Sequence, residues 1–334
     1  AWNGIYEPSQ AKPYRSLTEY WADNCVEGKP TVGLLFYRNE WLADNLGYQK
    51  AVIEEARKQG FNVIAVFSHG VRNPEMGAPG LEDAVERYFM RNGRAVIDVL
   101  INTIKFSLTS SGSMELSALQ RLNVPLLQAY TMMRTTEEWQ ENIQGLSAVE
   151  VAISVTMPEF DGAIHSVPIA GKYRDRDNIV YFVPMKERIE RLLHKAKKWA
   201  VLRHKVNAQK RIAIIFHNYP PKNSNIGTAL GMDSPESVRL LLAAMQEAGY
   251  TIDHIPKDSK TFMEEIIACA TNDRSLLTEK QIENAVGRVS LAEYRQLFDA
   301  LPTAVQKRML EAWGEPLGEV FNYDDTLLIP GMQN

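Results

Sequence analysis

Two stretches of this chain follow one plan: an apolar run, a polar loop, a helical stretch closed by glycine, then a second apolar run. In the first, 31–37 (TVGLLFY) reads as a strand buried on both faces. A helical stretch over 48–59 ends at Gly60, and 61–67 (FNVIAVF) reads as the next strand. In the second, 211–216 (RIAIIF) leads through a long loop to a helical stretch over 235–248, closed by Gly249, and then to a strand over 250–255. Runs this short and continuously apolar leave no face for water, so each belongs in a covered parallel sheet. Parallel neighbours joined through a helix form a βαβ unit with a right-handed crossover. The likeness between the stretches is one of topology, not a repeat of sequence.

The expected fold class is α/β, with two βαβ-containing, Rossmann-like domains, parallel sheets and a helical C-terminal extension. Further strands are expected at 95–102 (AVIDVLIN) and 125–130 (PLLQAY), flanking a helix near 114–122. Over 275–313 apolar residues recur three and four apart, as on one face of a helix. At 334 residues the chain has length for about two domains. A basic, helically patterned segment, 186–205, ends just before the strand expected at 211. The domains are therefore placed at 28–205 and 206–334, with 1–27 as an N-terminal arm belonging to something upstream. The chain starts at Ala1 rather than Met, and both ends read as cuts in a longer protein.

Composition narrows the partners. A net charge of −4 gives no basic excess for nucleic acid, and the basic residues of 186–205 read as a solvated helix face rather than a membrane-lying one. No stretch has the length of a membrane span and no signal peptide is visible. The two cysteines, Cys25 and Cys269, are far apart and form no CxxC pair, which argues against a zinc or iron–sulfur site and fits the reducing cytoplasm. The sequence has no GxxxxGK[ST] loop to cradle ATP phosphates, and no GxGxxG, GxSxG or HExxH.

Two loops stand out. Residues 217–233 (HNYPPKNSNIGTALGMD) follow an expected strand, where open α/β sheets place their ligands. Asp233 or Ser234 suits the cap of the next helix, with Pro235 at its first position and free N–H groups able to take a carboxylate. The segment is either a ligand loop or a structured connection. Residues 157–169 (MPEFDGAIHSVPI) place Glu159, Asp161 and His165 within seven positions. Two carboxylates and an imidazole suit a divalent ion or proton transfer; the other reading is a surface turn at Asp161-Gly162.

The run RIAIIFHNYPPKNSNIGTALGMDSPESVRLLLAAMQEAGY (211–250) resembles a block of the CobN / magnesium-chelatase H subunit family. The block has a strand, Tyr-Pro-Pro, a Gly-bearing loop, Asp-x-Pro-x-Ser and a helix ending in Gly-Tyr. ALQRLNVPLLQAY (118–130), EEW (137–139), GLS (145–147) and MPEFDGAI (157–164) follow the family's order, and TVGLLFYR (31–38) and AWG (312–314) also fit. The resemblance covers nearly the whole chain. It implies a cytoplasmic subunit several times longer, which binds a tetrapyrrole while separate AAA+ ATPase subunits hydrolyse ATP. The missing phosphate loop agrees with that division of labour. The HGT-x-EW-type segment associated with the family's C-terminal part is absent.

The family divides between cobalt insertion into hydrogenobyrinate a,c-diamide, for cobalamin, and magnesium insertion into protoporphyrin IX, for chlorophyll. Magnesium-type members carry a Glu shortly after Asp-Gly, where this chain has His165. Imidazole suits cobalt, whereas Mg²⁺ prefers oxygen. The resemblance therefore implies a cobaltochelatase, with a magnesium chelatase or a non-catalytic tetrapyrrole-binding module as alternatives. His165 and Glu159 are expected to move protons, with His165 and Asp161 contacting the metal. Ring contacts are expected from Asn218, Tyr219, Asn225, Gly227, Tyr37 and Arg38. The expected partners are the tetrapyrrole, the AAA+ ATPase subunits and the rest of the full-length subunit, with no nucleic acid and no membrane. The chain alone is expected to be inactive.

Overall fold

The computed structural model describes residues 1–70, 72–107, 118–220, 222–268, 278–316, 318 and 321–329. The chain divides into two units, Ala1–Lys205 and Val206–Asn334.

The first unit runs β1 (Gly4–Tyr6), α1 (Leu17–Asn24), β2 (Thr31–Tyr37), α2 (Arg38–Leu42), α3 (Gly47–Lys58), β3 (Asn62–Ser68) and α4 (Leu81–Phe89). A two-stranded ribbon, β4 (Met90–Arg91) and β5 (Arg94–Ala95), leads to β6 (Val99–Asn102), α5 (Ala118–Leu122) and β7 (Leu126–Thr131). Three short helices follow, α6 (Thr136–Glu141), α7 (Ala148–Val151) and α8 (Met157–Phe160), then β8 (Ala163–Arg174), β9 (Val180–Pro184) and α9 (Lys186–His204). One sheet has the order β1-β3-β2-β6-β7-β8-β9. Its five central strands are parallel, and β1 and β9 close the edges antiparallel.

Strand alternation sends neighbouring residues of each run into different cores. Val32, Leu34 and Phe36 of β2 meet Tyr48, Val52 and Ala56 of α3 and Ile189, Leu192 and Leu193 of α9. Leu35, with Ile64 and Leu100, meets Val85 and Tyr88 of α4 and Leu119 and Leu122 of α5. Both faces are covered, which is why β2 and its neighbours carry apolar residues on both faces, with polar residues mostly at the strand ends. Gly33 is required by packing: a Cβ there would sit 2.8 Å from Ile97 Cδ1 and 3.0 Å from the Phe89 ring.

The N-terminal residues correct one expectation. They are not a detached arm. Gly4–Tyr6 pairs with β3, Ile5 and Tyr20 are buried, and Glu7 makes a two-pronged ion pair with Arg57 at 3.1 and 2.5 Å. A bare outer edge on β3 would expose unpaired backbone, and this short strand covers it. The strand expected at 95–102 is confined to Val99–Asn102, because Ala95 belongs to the ribbon. The helix expected near 114–122 is described from Ala118; residues 114–117, like Pro221 and Cys269, lie outside the described residues. Cys25 is a free thiol.

The second unit holds α10 (Ser234–Glu247), α11 (Ser259–Ile267), α12 (Glu279–Glu283), β10 (Gly287–Ser290), α13 (Leu291–Asp299), α14 (Thr303–Trp313), β11 (Asn322–Tyr323) and β12 (Thr326–Ile329). Its sheet is antiparallel, in the order β10-β12-β11. The helix after the long loop forms as expected; of the helical tail expected over 275–313, residues 275–277 lie outside the described residues and the rest is α12, α13 and α14 with the strand β10 among them. The second Rossmann-like sheet does not: among the described residues, 211–216 and 250–255 form no strand. Ile212 and Ile215 are 53% and 88% exposed. An apolar run demands burial, but a strand also needs a neighbour for its N–H and C=O groups, and no described segment supplies one here. No helix among the described residues is long and apolar enough to cross a membrane.

Candidate functional site

Open parallel sheets bind ligands beyond the carboxyl ends of their strands, where the winding direction reverses. From β2 the chain passes through α3 to β3 on one side; from β3 it passes through α4 to β6 on the other side of β2. The reversal therefore falls between β2 and β6. The residues that follow β2 there include Arg38 and Glu40, and those that follow β6 include Thr103 and Lys105. Helix α3 adds Tyr48 and Gln49, both fully buried.

These side chains form one connected group. Glu40 Oε2 accepts hydrogen bonds from the Tyr48 hydroxyl at 2.6 Å and from Gln49 Nε2 at 2.8 Å. The Tyr48 hydroxyl also lies 3.1 Å from Thr103 Oγ1. Thr103 Oγ1 donates to the Leu35 carbonyl at 3.0 Å, and the Tyr37 hydroxyl donates to the Lys105 carbonyl at 3.0 Å. Burial pushes the Glu40 carboxyl up to about 7, against the opposing pull of Tyr48, Lys105, Gln49 and the Tyr37 backbone. Burial also lowers the Lys105 ammonium below its ordinary value, with Glu150 and Glu40 working against it and Lys172 adding to it. Gln49 Oε1 is buried without a hydrogen-bond partner. The group at the β2/β6 strand ends thus includes a carboxyl whose raised value falls near neutrality.

The neighbouring strand ends are polar but saturated. Asn102 and Gln128, both fully buried, are joined at 2.8 Å, and each donates to the Ile104 carbonyl. Glu150 is buried at the start of α7 and accepts from Met133 N, Ser147 N and Ser147 Oγ at 2.8, 3.0 and 2.7 Å. Burial pushes its carboxyl up, but these donors and Arg134 outweigh that and hold it below its ordinary value.

The residues expected from sequence are scattered over the molecule. Tyr37 and Arg38 reach the crevice, although Arg38 Nε donates to the Ala1 carbonyl at 2.7 Å and its guanidinium lies 4.5 Å from the centre of the Trp2 ring. His165 sits near the amino end of β8, in a bulge, with φ +56°. That is the opposite end of the sheet from the crevice. The imidazole is exposed, 5.9 Å from the Trp199 ring. Asp161 accepts from Ser107 Oγ at 2.9 Å. Glu159 is exposed on α8, and no hydrogen bond joins it to His165. The turn between α8 and β8 sends the imidazole toward α9 and not back along α8. Among the described residues no group of three His, Cys, Asp or Glu side chains is arranged to hold a metal ion.

Asn218, Tyr219, Asn225 and Gly227 lie in the second unit, where most of them shape the loop itself. Asn218 Oδ1 accepts from Lys222 N at 3.2 Å, Asn225 Nδ2 donates to the Pro220 carbonyl at 2.8 Å, and Gly227 N donates to the His217 carbonyl at 2.8 Å. Gly227 has φ +69°, and a Cβ there would lie 2.6 Å from the Phe216 ring. Tyr219 is the one the loop presents, 76% exposed. Asp233 caps α10, accepting from Glu236 N at 3.0 Å. Sequence alone does not single out Glu40, Tyr48, Gln49, Thr103 or Lys105. The available signal is positional: Glu40 follows the first apolar strand as closely as the 217–233 loop follows the run at 211–216.

Comparison with known proteins agrees along the entire chain. The family described as CobN/Magnesium Chelatase matches residues 1–334. An uncharacterized protein of Methanocaldococcus jannaschii is 37% identical, over 100% of this chain and 28% of its own length. The aerobic cobaltochelatase subunit CobN of Pseudomonas aeruginosa is 28% identical, over 98% of this chain and 26% of that protein. The chloroplastic magnesium-chelatase subunit ChlH of Oryza sativa is 27% identical, over 99% and 24%. A solved structure, the catalytic subunit of cobaltochelatase from Mycobacterium tuberculosis, matches with a TM-score of 0.71 and 26% identity, over 100% of this chain and 26% of that one. The chain spans about a quarter of the length of these relatives. With its whole length matched and its first sheet wound as described, the chain belongs to the CobN/magnesium chelatase family.

Proposed function

We propose that this chain is part of the large subunit of an ATP-dependent metal chelatase, and that the crevice between β2 and β6 serves the tetrapyrrole during metal insertion. The observation that carries this reading is the family match over all of residues 1–334, which includes relatives named for both chelatase activities. The leading reaction is insertion of cobalt into hydrogenobyrinate a,c-diamide, supported by the Pseudomonas relative and by the mycobacterial structure. Insertion of magnesium into protoporphyrin IX is the second reading, favoured by the rice relative at 27% identity. In either case the metal is a substrate. ATP is hydrolysed by separate AAA+ subunits, and the assembly works in the cytoplasm. Tyr37 and Arg38 at the crevice, and Tyr219 on its loop, are proposed ring contacts. His165 and Asp161 are proposed metal contacts, supported by the exposure of the imidazole in the β8 bulge.

The test uses the full-length subunit with its ATPase partners, Co²⁺ or Mg²⁺, and each ring in turn, followed by absorbance. ATP-dependent cobalt insertion is expected. Insertion of magnesium alone moves the protein to the second reading. Ring binding with no insertion of either metal makes it a non-catalytic binding module and overturns the proposal.

A further inference from the structure

Resting on the chelatase reading, the inference concerns the protons that metal insertion must displace. A divalent ion that enters a tetrapyrrole replaces two inner N–H protons, so the reaction is ring-H₂ + M²⁺ → ring-M + 2 H⁺. Some group beside the ring has to take each proton as the N–H bond breaks and the nitrogen lone pair turns to the metal. Histidine and raised carboxylates are the side chains suited to this at neutral pH. The segment with Glu159 and His165 does not join its two groups. The crevice joins its own.

We propose that Glu40 accepts the ring N–H protons, one at a time, and that Tyr48 and Gln49 hold its carboxyl in place for the transfer, with Thr103 competing for the Tyr48 proton. The geometry divides the work between the two carboxyl oxygens. Both side-chain donors converge on Oε2 and occupy its two lone pairs, Tyr48 at 2.6 Å and Gln49 at 2.8 Å. The Tyr37 backbone N–H also bonds this carboxyl, so Oε1 keeps at least one lone pair to spare. A proton taken on Oε1 leaves the Oε2 bonds in place, because a carboxylic acid's carbonyl oxygen accepts from the same two donors. The Glu40 side chain is partly exposed, whereas Tyr48, Gln49 and Thr103 beneath it are buried. The carboxyl is therefore anchored from within, on a residue that keeps part of its surface exposed. After the first transfer, Glu40 releases its proton to water and accepts the second.

The supporting hydroxyls set the proton balance. Thr103 has one hydroxyl proton, and it points to the Leu35 carbonyl at 3.0 Å. The Tyr48–Thr103 contact at 3.1 Å must then be served by the Tyr48 proton, which Tyr48 also offers to Glu40. Thr103 thus competes with Glu40 for one donor. When Glu40 is ionised Tyr48 turns to it, and when Glu40 is neutral Thr103 takes a larger share. The other titratable groups around Glu40 are Tyr37 and Lys105, and Lys105 in turn feels Glu150 and Lys172. Burial raises the carboxyl to about 7, which keeps it a competent base near neutral pH.

The experiment measures insertion by the full-length subunit with its ATPase partners, together with binding of the metal-free ring by absorbance titration. Glu40→Gln keeps the shape of the side chain and removes its basicity. It is expected to slow insertion by about 100-fold or more, the usual scale for loss of a general base, with ring affinity changed less than about threefold. Thr103→Val removes the competitor for the Tyr48 proton, favours the ionised carboxyl, and is expected to move the midpoint of the insertion pH profile downward. Wild-type insertion with undiminished insertion in Glu40→Gln overturns the inference and leaves the chelatase reading intact. A parallel fall in ring affinity makes Glu40 a ring-holding group and also overturns it, as does a Thr103→Val midpoint that coincides with wild type. No insertion by wild type with either metal rejects the chelatase reading itself.

Discussion

Glu150 is buried and Glu40 half-buried, yet their carboxyls move in opposite directions, and the difference lies in their donors. Glu150 accepts three hydrogen bonds and has Arg134 beside it, whereas at Glu40 burial outweighs the bonds from Tyr48 and Gln49. The consequences for stability have opposite signs. A free glutamate titrates near about 4.3. Glu40 is raised above that in the fold, so its folded form holds a proton that the unfolded chain gives up. Stability is then lost as pH rises from the ordinary carboxylate range through about 7. Glu40→Gln should stabilise the protein at pH 8 by on the order of 1–3 kcal/mol, with the difference vanishing near pH 4. Urea unfolding at the two pH values checks this, and an equal difference at both would reject the raised carboxyl. Glu150 is lowered, so its stabilisation is present above its unfolded value and is lost as pH falls through its folded value. Glu150→Gln should cost about 2 kcal/mol at neutral pH, and the gap should close in acid. A gap independent of pH would show that packing, not charge, is what the substitution removes.

At the scale of elements, an apolar run carries different information in the two units. The run at β2 predicts its own structure because β3 and β6 flank it and helices cover both faces. The run at 211–216 has the same character, but no described neighbour pairs with it, so apolarity alone does not make it a strand. This is why the first α/β sheet was legible in the sequence and the second was not. The site was legible in part for a related reason. Tyr37 and Arg38 adjoin a strand end and can be found from the chain alone. The group around Glu40 exists only once α3 and β6 bring Tyr48, Gln49 and Thr103 beside it, across separations of up to 63 positions. The contrast between the units is measurable. Leu192→Ala on the buried stripe of α9 should cost about 2–5 kcal/mol. Ile215→Ala in the 334-residue chain, at a residue 88% exposed, should change stability by no more than about 0.5 kcal/mol. Denaturant midpoints for the two variants decide it, and a large loss at Ile215 would mean that the run is packed in solution.

At the scale of the whole molecule, the limiting quantity is enclosure. A tetrapyrrole is a broad plate, and tight binding requires most of its two faces to be buried against apolar walls. One groove of the first unit is open and lined by Arg134, Glu138, Glu141, Asn142 and Ile143, mostly polar or charged side chains. Another, beside Leu119, Leu122 and Leu126, runs past Asn123, Asp161 and Gly162 and mixes apolar with polar walls. Neither groove is lined by Glu40, Tyr48 or Thr103. The chain is also about a quarter of the length of its relatives. The 334-residue chain should therefore bind a metal-free ring at least about 10-fold more weakly than the full-length subunit, a difference of about 1.4 kcal/mol. Parallel absorbance titrations with hydrogenobyrinate a,c-diamide and with protoporphyrin IX make the comparison. Equal affinities would mean that the described walls suffice and that the ring site is complete within this chain.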